Sequence, residues 1–303
     1  MQNYAKLRNA QLRKADGRWQ KFYTANMMKN KFTLILLFFS TLLFSQNSVF
    51  WKVTKDGNEG YILGTYHFLG RNFLTENKII LEKLKNSNIA LSENIDSAKV
   101  FINIRKENEN LKKLNKLEFE TIKKIVPSYV DVNKMSLREL IVIIDGKITT
   151  KFCLTEKEKT DTLKMDDYLK KYSIDNEIKL LGLEQTKQTF ELINNNLYSG
   201  FVEDKLLNIL KSKIIFLNSD KQNINCSIVS EYRTKKHLFN FSRESQEKMI
   251  TLRNKNWIDK IDKTIQENKK AFIFVGLYHL DFKDGILELL KNKGYNIEEI
   301  QLN

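Results

Sequence analysis

The sequence contains little of what marks a disulfide-rich scaffold or a familiar cofactor motif. Its 303 residues include one proline, two cysteines and three histidines. The spacing of the two cysteines fits no zinc motif, and the absence of Cys-x-x-Cys-His excludes covalent attachment of haem. Glycine-rich nucleotide loops, Gly-x-Ser-x-Gly elbows and His-Glu-x-x-His motifs are missing as well. The chain therefore carries no signature of the common nucleotide-binding, serine-hydrolase or zincin classes.

The charge of the chain lacks the arrangement that nucleic-acid binding requires. The 51 Lys and Arg residues exceed the 37 Asp and Glu residues by 14, and much of this excess lies in residues 1–45. No stretch combines a dense basic run with interleaved aromatic residues. We therefore predict no nucleic-acid partner, while a basic face would still suit an anionic surface or ligand.

An apolar run of about 20 residues, the length of a membrane span, is also missing. Residues 27–45 instead predict a signal peptide, because Lys29 and Lys31 precede a shorter apolar stretch and Ser45 ends a possible cleavage site. The alternative is an uncleaved membrane anchor. Cleavage predicts a periplasmic or secreted protein that keeps no stable transmembrane span.

The exported part of the chain is predicted to be one domain over residues 47–303, since no Gly/Pro-rich linker divides it. Residues 1–26 precede the start of the signal peptide and are interpreted as a disordered upstream extension. In an oxidising compartment Cys153 and Cys226 could pair as a disulfide, and two unpaired buried cysteines are the alternative.

The strongest positive signal is a pattern that occurs twice. Tyr61-Ile-Leu-Gly64-Thr-Tyr-His67 and Phe272-Ile-Phe-Val-Gly276-Leu-Tyr-His279 each join a short apolar run to Gly-x-x-His. Such runs predict buried strands, and the glycine permits a sharp turn or a close approach. Because ligands bind beyond the carboxyl ends of strands in open α/β sheets, we expect His67 and His279 to share one site. The alternative is that each histidine only caps its strand.

Two further strand-like runs end in carboxylates, Glu93 and Glu184. Two imidazoles with one or two carboxylates suit a divalent metal that keeps an open position for water. The same groups could also work without metal, with histidine as general base and glutamate orienting it. Each glutamate alone could equally be a solvated residue at the start of a loop.

The middle of the domain is predicted to be mainly helical. Asp145-Gly146 predicts a turn, and residues 243–268 predict a long amphipathic helix. Arg253 interrupts the apolar stripe of that helix. It either extends to solvent or points into the site as an anion clamp. We predict one α/β domain with a helical insertion in the middle.

The chain resembles the TraB/GumN family, which includes the Tiki proteins. The matching residues are Tyr61–His67, Leu91–Glu93, Leu181–Glu184, Leu252-Arg253-Asn254, Phe274–His279, Asp284–Leu287 and Lys293-Gly-Tyr295, within residues 49–301. The resemblance implies an α/β fold akin to erythromycin-esterase and ChaN-like proteins. A mixed central sheet flanked by helices, with two pseudo-symmetric halves that each end a strand in Gly-x-x-His, is therefore expected.

The resemblance also implies an activity, because Tiki relatives resemble metal-dependent proteases that use Mn or Co. Carried over, His67, His279 and Glu184 would bind a divalent metal (Mn, Co or Zn), and Glu93, Glu184 and Arg253 would be catalytic. The expected function is a metal-dependent hydrolase of a peptide or small-molecule substrate. The alternative is a non-catalytic protein of the ChaN-like type that binds haem, iron or a peptide.

Overall fold

The structure is a computed structural model that describes residues 48–220, 224–234, 247–280 and 282–302. The predicted upstream extension, the predicted signal peptide and His237, the third histidine of the sequence, lie outside the described residues. Within the described ranges, no helix combines the length and the apolar character that a membrane crossing requires.

The described strands form one mixed sheet. They are β1 (Phe50–Lys55), β2 (Asn58–Thr65), β3 (Ile89–Ser92), β4 (Lys179–Gly182), β5 (Lys270–Gly276) and β6 (Asn296–Glu299). Their order across the sheet is β4-β3-β5-β2-β1-β6. The four strands from β4 to β2 run parallel, whereas β1 pairs antiparallel with β2 and with β6. Four carboxyl ends consequently meet at one edge of the sheet.

Local sequence explains the strands at the centre and the hairpin beside them. Strand β5 is apolar from Ala271 to Val275 and is buried along that stretch, as expected of a parallel strand covered on both faces. Asp56 and Gly57, both with positive φ, join β1 to β2 in the tight turn that a two-residue hairpin favours.

Helices flank the sheet and fill the two long connections, from β3 to β4 and from β4 to β5. The described helices are α1 (Arg71–Glu76), α2 (Lys78–Lys85), α3 (Ala98–Ile102), α4 (Lys116–Ile125), α5 (Leu137–Cys153), α6 (Glu156–Lys159), α7 (Met165–Asp175), α8 (Thr186–Asn196), α9 (Glu203–Asn218), α10 (Ser227–Arg233), α11 (Leu252–Asn268) and α12 (Ile286–Asn292). The structure thus confirms the predicted mixed sheet flanked by helices. The pseudo-symmetric relation of the two halves stays a prediction.

The apolar side chains collect in two clusters. One cluster includes the sheet and the helices packed on it, with Phe50, Phe272 and Trp257 among its largest buried side chains. The second lies among the helices, where Leu140 of α5 and Leu210 of α9 are completely buried. Because α5 precedes β4 and α9 follows it, the helical part of the molecule is built from both connections.

The turn predicted at Asp145-Gly146 is wrong, because both residues lie inside α5. That helix begins at a capping box formed by Ser136 and Glu139 and continues through the glycine. Phe68 explains the glycine: a Cβ added at Gly146 would lie 2.7 Å from the Phe68 ring. The missing side chain here serves close packing rather than a turn.

The two cysteines are paired. Cys153 at the end of α5 and Cys226 just before α10 form a disulfide with a Cα–Cα distance of 5.4 Å. Of the two alternatives that the sequence leaves open, the structure has the disulfide, and it connects residues 73 positions apart.

Candidate functional site

The four predicted candidates follow the four parallel strands at their shared edge. His67 and Glu93 come just after β2 and β3, whereas Glu184 and His279 come just after β4 and β5. The backbone N–H of Glu184 donates to the carbonyl of Glu93, at 2.8 Å, and so continues the β3–β4 pairing past the strands. This edge of the sheet is the candidate site.

Arg253 of α11 is the centre of a buried polar network. Its guanidinium donates from Nη2 to Glu93 Oε2 at 2.6 Å and from Nη2 to Glu184 Oε1 at 2.7 Å. The remaining Nη1 lies 3.1 Å from Nε2 of His279. The Arg253 residue is 7% exposed and its guanidinium lies 4.5 Å from the Trp257 ring centre, so it does not extend to solvent. Of the two predicted orientations, the structure has the one in which Arg253 points into the site.

Glu184 is held by several donors at once. Its Oε1 accepts from the Thr189 hydroxyl at 2.7 Å, and its Oε2 accepts from the Trp257 indole N–H at 3.1 Å. Arg253 Nε donates to both oxygens. In this arrangement Glu184 anchors Arg253 and has little acceptor capacity left for a further ligand.

Glu93 is also ionised and tightly held. Its Oε1 accepts from the Gly276 backbone N–H at 2.7 Å, and its Oε2 accepts from Arg253. Burial alone would raise the pKa of Glu93, but the charge of Arg253, together with the two histidines and the Gly276 N–H, outweighs it and holds the pKa well below the usual range. A Cβ at Gly276 would lie 3.1 Å from Glu93 Oε1, so glycine leaves this carboxylate its space.

His279 is a buried neutral imidazole of defined tautomer. The side-chain amide of Asn254 donates to the carbonyls of His279 and Asp284, at 3.2 and 2.9 Å, so its Oδ1 is left to accept from His279 Nδ1–H at 2.6 Å. Nε2 is then the acceptor for Arg253. Burial, together with the Arg253 charge, lowers the pKa of His279 to about 3.

His67 is in the opposite state. Its Nδ1 lies 2.5 Å from Asp166 Oδ2, and the other Asp166 oxygen accepts from the Thr65 hydroxyl at 2.8 Å. The Asp166 charge raises the pKa of His67 to about 9. Burial alone would raise the pKa of Asp166, but the His67 charge and hydrogen bond bring it below the ordinary value. At neutral pH the two form an imidazolium–carboxylate pair.

A cavity of about 470 Å³ opens beside this pair. Its walls are His67, Phe68, Ser92, Glu93, Asn94, Ile125, Pro127, Val142, Ile143, Gly146, Lys147, Thr150, Lys164, Asp166, Asp167 and Lys170. His279, Glu184 and Arg253 do not line it and lie behind Glu93. The two histidine rings nevertheless come close: a Cβ at Gly276 would be 3.5 Å from His67 Nε2 and 3.7 Å from His279 Cδ2.

The predicted metal ligands do not fit a metal in this arrangement. Within the described ranges, no group of three or more His, Cys, Asp or Glu residues is placed to hold a metal ion. Arg253 is the physical reason, since it donates to Nε2 of His279 and to both oxygens of Glu184. A metal bound by these two side chains would have to displace it.

Two residues of the site are missing from the sequence-based candidates. Asp166 lies in the first turn of α7, where an acidic residue is ordinarily explained by the helix dipole. It lies 99 positions from His67, so only the fold brings them together. Asn254 was part of the matched Leu-Arg-Asn stretch, and its position next to the unusual Arg253 is the signal that could have identified it.

Comparison with known proteins gives one match. A family model described as the TraB/PrgY/gumN family matches residues 49–299, which include all of the site residues above. Among curated proteins and among solved structures, no match is found.

Proposed function

The chain belongs to the TraB/PrgY/gumN family, and from that premise we propose that it is a hydrolase that cleaves peptide substrates in the cavity beside His67. One observation carries the proposal: the Asp166–His67 pair opens on a cavity of about 470 Å³ next to an ionised glutamate. A histidine oriented by a carboxylate through Nδ1, with Nε2 available to a ligand, is a common arrangement for proton transfer.

The proposed chemistry uses His67 Nε2. The neutral imidazole accepts a proton from a water molecule as the water oxygen attacks the substrate carbonyl carbon. The imidazolium then gives this proton to the leaving nitrogen as the carbon–nitrogen bond breaks. Asp166 holds Nδ1–H throughout and stabilises the imidazolium, and the Glu93 charge acts in the same direction because it also raises the pKa of His67.

The buried network has a supporting part in this proposal. Arg253 keeps Glu93 ionised and connects it to Glu184 and His279, which lie behind the cavity wall. Because these groups are held by several charged hydrogen bonds, the Glu93 carboxylate stays in place while His67 gains and loses its proton. Export to the periplasm or the medium is part of the same proposal and rests on residues 27–45.

Dependence on Mn, Co or Zn stays a prediction. The proposed reaction uses no metal, since the acceptor atoms of His279 and Glu184 are taken by Arg253. Metal analysis of the purified chain and activity with and without chelator test it directly.

The pH profile of peptide cleavage tests the hydrolase. Because His67 acts in its neutral form and its pKa is about 9, kcat/KM should rise from pH 7 through about pH 9 and level off only above that pH. The measurement is cleavage of a peptide library by the full chain, with metal added or chelated. His67→Gln should remove the activity at every pH. Folded protein that cleaves no library peptide in any arm would refute the proposal.

One observation favours the alternative of a binding protein. At pH 7 His67 is cationic and the pKa of Glu93 is lowered, so neither of these two cavity-wall residues is a strong base. Titration with haem, iron or labelled peptide separates the two readings. A Soret shift that disappears in His67→Ala would favour haem binding over hydrolysis.

A further inference from the structure

A second cavity continues the first one away from His67. It has a volume of about 670 Å³ and shares three wall residues with the first cavity: Ile125, Lys147 and Thr150. Its other walls come from α4, α5, the end of α6 and the end of α9. The shared residues make the two cavities neighbours along one surface, which we call the groove.

Lysine side chains without acidic partners line the groove. Among the described residues, Lys124, Lys147 and Lys164 belong to no ion pair within 4.0 Å, although exposed lysines elsewhere on the molecule form several. Lys164 lies only over the Phe68 ring, at 5.3 Å from its centre. Burial, followed by the charge of Lys147, lowers the pKa of Lys164 and outweighs the opposing charges of Asp167 and Asp166.

The acidic residues of the groove do not balance these lysines. Asp166 is bound to His67 and Thr65, and Glu93 is bound to Arg253 and the Gly276 backbone. Asp167 is the remaining acidic wall residue.

Apolar side chains alternate with the lysines along the same surface. Leu117 is 72% exposed and Val142 is 40% exposed, and both line the groove together with Ile125. Exposed apolar side chains next to unpaired cations suit a ligand that carries both carboxylates and apolar groups. An acidic polysaccharide would supply the charges without the apolar groups.

We propose that the groove binds an acidic peptide in an extended conformation, with its carboxylates on Lys124, Lys147 and Lys164 and its apolar side chains on Leu117 and Val142. Cleavage of that peptide at His67 rests on the proposed function, whereas its binding does not. The groove would thus restrict the hydrolase to acidic, partly apolar segments.

Binding of labelled peptides to the full chain, followed by fluorescence anisotropy, tests the groove. The probe alternates Glu and Leu, and its matched control alternates Gln and Leu. Lys147→Gln combined with Lys164→Gln should weaken binding of the Glu peptide by about tenfold, with a weaker salt dependence. Lys78→Gln combined with Lys85→Gln, two exposed lysines of α2 outside the groove, removes the same charge and should change binding less than about twofold.

The outcomes separate the groove from the hydrolase. Tight, lysine-dependent binding of the Glu peptide without cleavage would support the groove and count against the hydrolase. Equal binding of the Glu and Gln peptides would overturn the groove, even if both peptides were cleaved. Displacement by a polyuronate that binds more tightly than the Glu peptide would also overturn it, because the apolar contacts would then contribute nothing.

Discussion

The two Gly-x-Tyr-His segments have the same sequence pattern and opposite environments. His67 is 52% exposed at the side chain and beside a carboxylate, whereas His279 is buried beside a guanidinium. The pKa of the first is raised to about 9 and the pKa of the second is lowered to about 3. The motif therefore places an imidazole at a strand end, but its burial and its partner from a helix determine its charge.

The two strand ends, at His67 and at His279, also have different roles. Asp166 on α7 accepts from Nδ1–H of His67 and raises the pKa of this imidazole at the cavity wall. Arg253 and Asn254 on α11 fix His279 as a neutral hydrogen-bonding part of the interior. A histidine whose two ring nitrogens are both engaged is suited to orientation, and a histidine with one nitrogen facing a cavity is suited to chemistry.

Replacing Arg253 should have the largest effect, because Arg253 is the partner of His279, Glu93 and Glu184 in the buried network. Arg253→Met leaves Glu93 and Glu184 as buried carboxylates without their cation. Breaking a buried ionic network by removing one partner costs about 3–5 kcal/mol. Urea unfolding at pH 7 should show a loss of that size in the free energy of unfolding.

A matched control lies on the same helix. Lys263 pairs with Glu267 at 3.8 Å on the exposed face of α11, so Lys263→Met should cost no more than about 0.5 kcal/mol. A loss below about 1 kcal/mol for Arg253→Met would mean that the two carboxylates find other partners, and the central role given to Arg253 would be wrong.

The buried histidine should make the protein sensitive to mild acid, which is the next largest effect. The pKa of His279 is about 3 in the folded state against 6.5 for the ordinary group. A depressed folded pKa gives stability that is present above pH 6.5 and is lost as the pH falls. The free energy of unfolding should therefore fall with a slope approaching about 1.4 kcal/mol per pH unit between pH 6.5 and 5.

Variants of the two histidines separate this effect from general acid denaturation. His67→Gln should keep the acid slope toward pH 5, because there the His67 imidazole is protonated in the folded state (pKa about 9) and almost completely in the unfolded state (pKa 6.5). His279→Gln should flatten it. Identical slopes in the two variants would show that His279 is not the group responsible, since any contribution from His237 is common to both.

Much of this fold follows from local sequence patterns, and the reason is physical. A buried parallel strand needs a short apolar run, so the run before Glu93 could be predicted from its sequence pattern, and the similar run before Glu184 forms the half-buried edge strand β4. Because strands β2, β3, β4 and β5 run parallel, their polar end residues meet at one edge. The family assignment, made on the same segments, is confirmed over residues 49–299.

The partners of the site could not be predicted in the same way. Asp166 reaches His67 only because α7 begins where β2 ends, a packing relation without a local signature. Gly146 was misinterpreted for a similar reason, because the Phe68 ring that excludes a side chain there lies far away in sequence. Charge states follow from burial and from such partners, so the motif alone does not predict the opposite pKa shifts of the two histidines.

The smallest predicted effect on stability comes from replacing Asp166, the partner of His67. Asp166→Asn keeps the shape of the side chain and removes its charge, so the pKa of His67 should fall from about 9 toward its ordinary value of 6.5. An NMR titration of the His67 ring measures this directly. Asp167→Asn is the matched control, because Asp167 faces the same cavity in the same helix turn without contacting His67. It should leave the pKa of His67 near 9.

The free energy of unfolding should also depend on the His67 pair, with a pH dependence opposite in sign to that of His279. A raised folded pKa gives stability that is complete below pH 6.5 and is lost as the pH rises through about 9. The loss should stay below about 1 kcal/mol because His67 is half exposed and solvent screens the pair. It should be absent in Asp166→Asn and present in Asp167→Asn. If the His67 titration were the same in both variants, Asp166 would not be its partner, and the proton-transfer role proposed for the pair would fail with it.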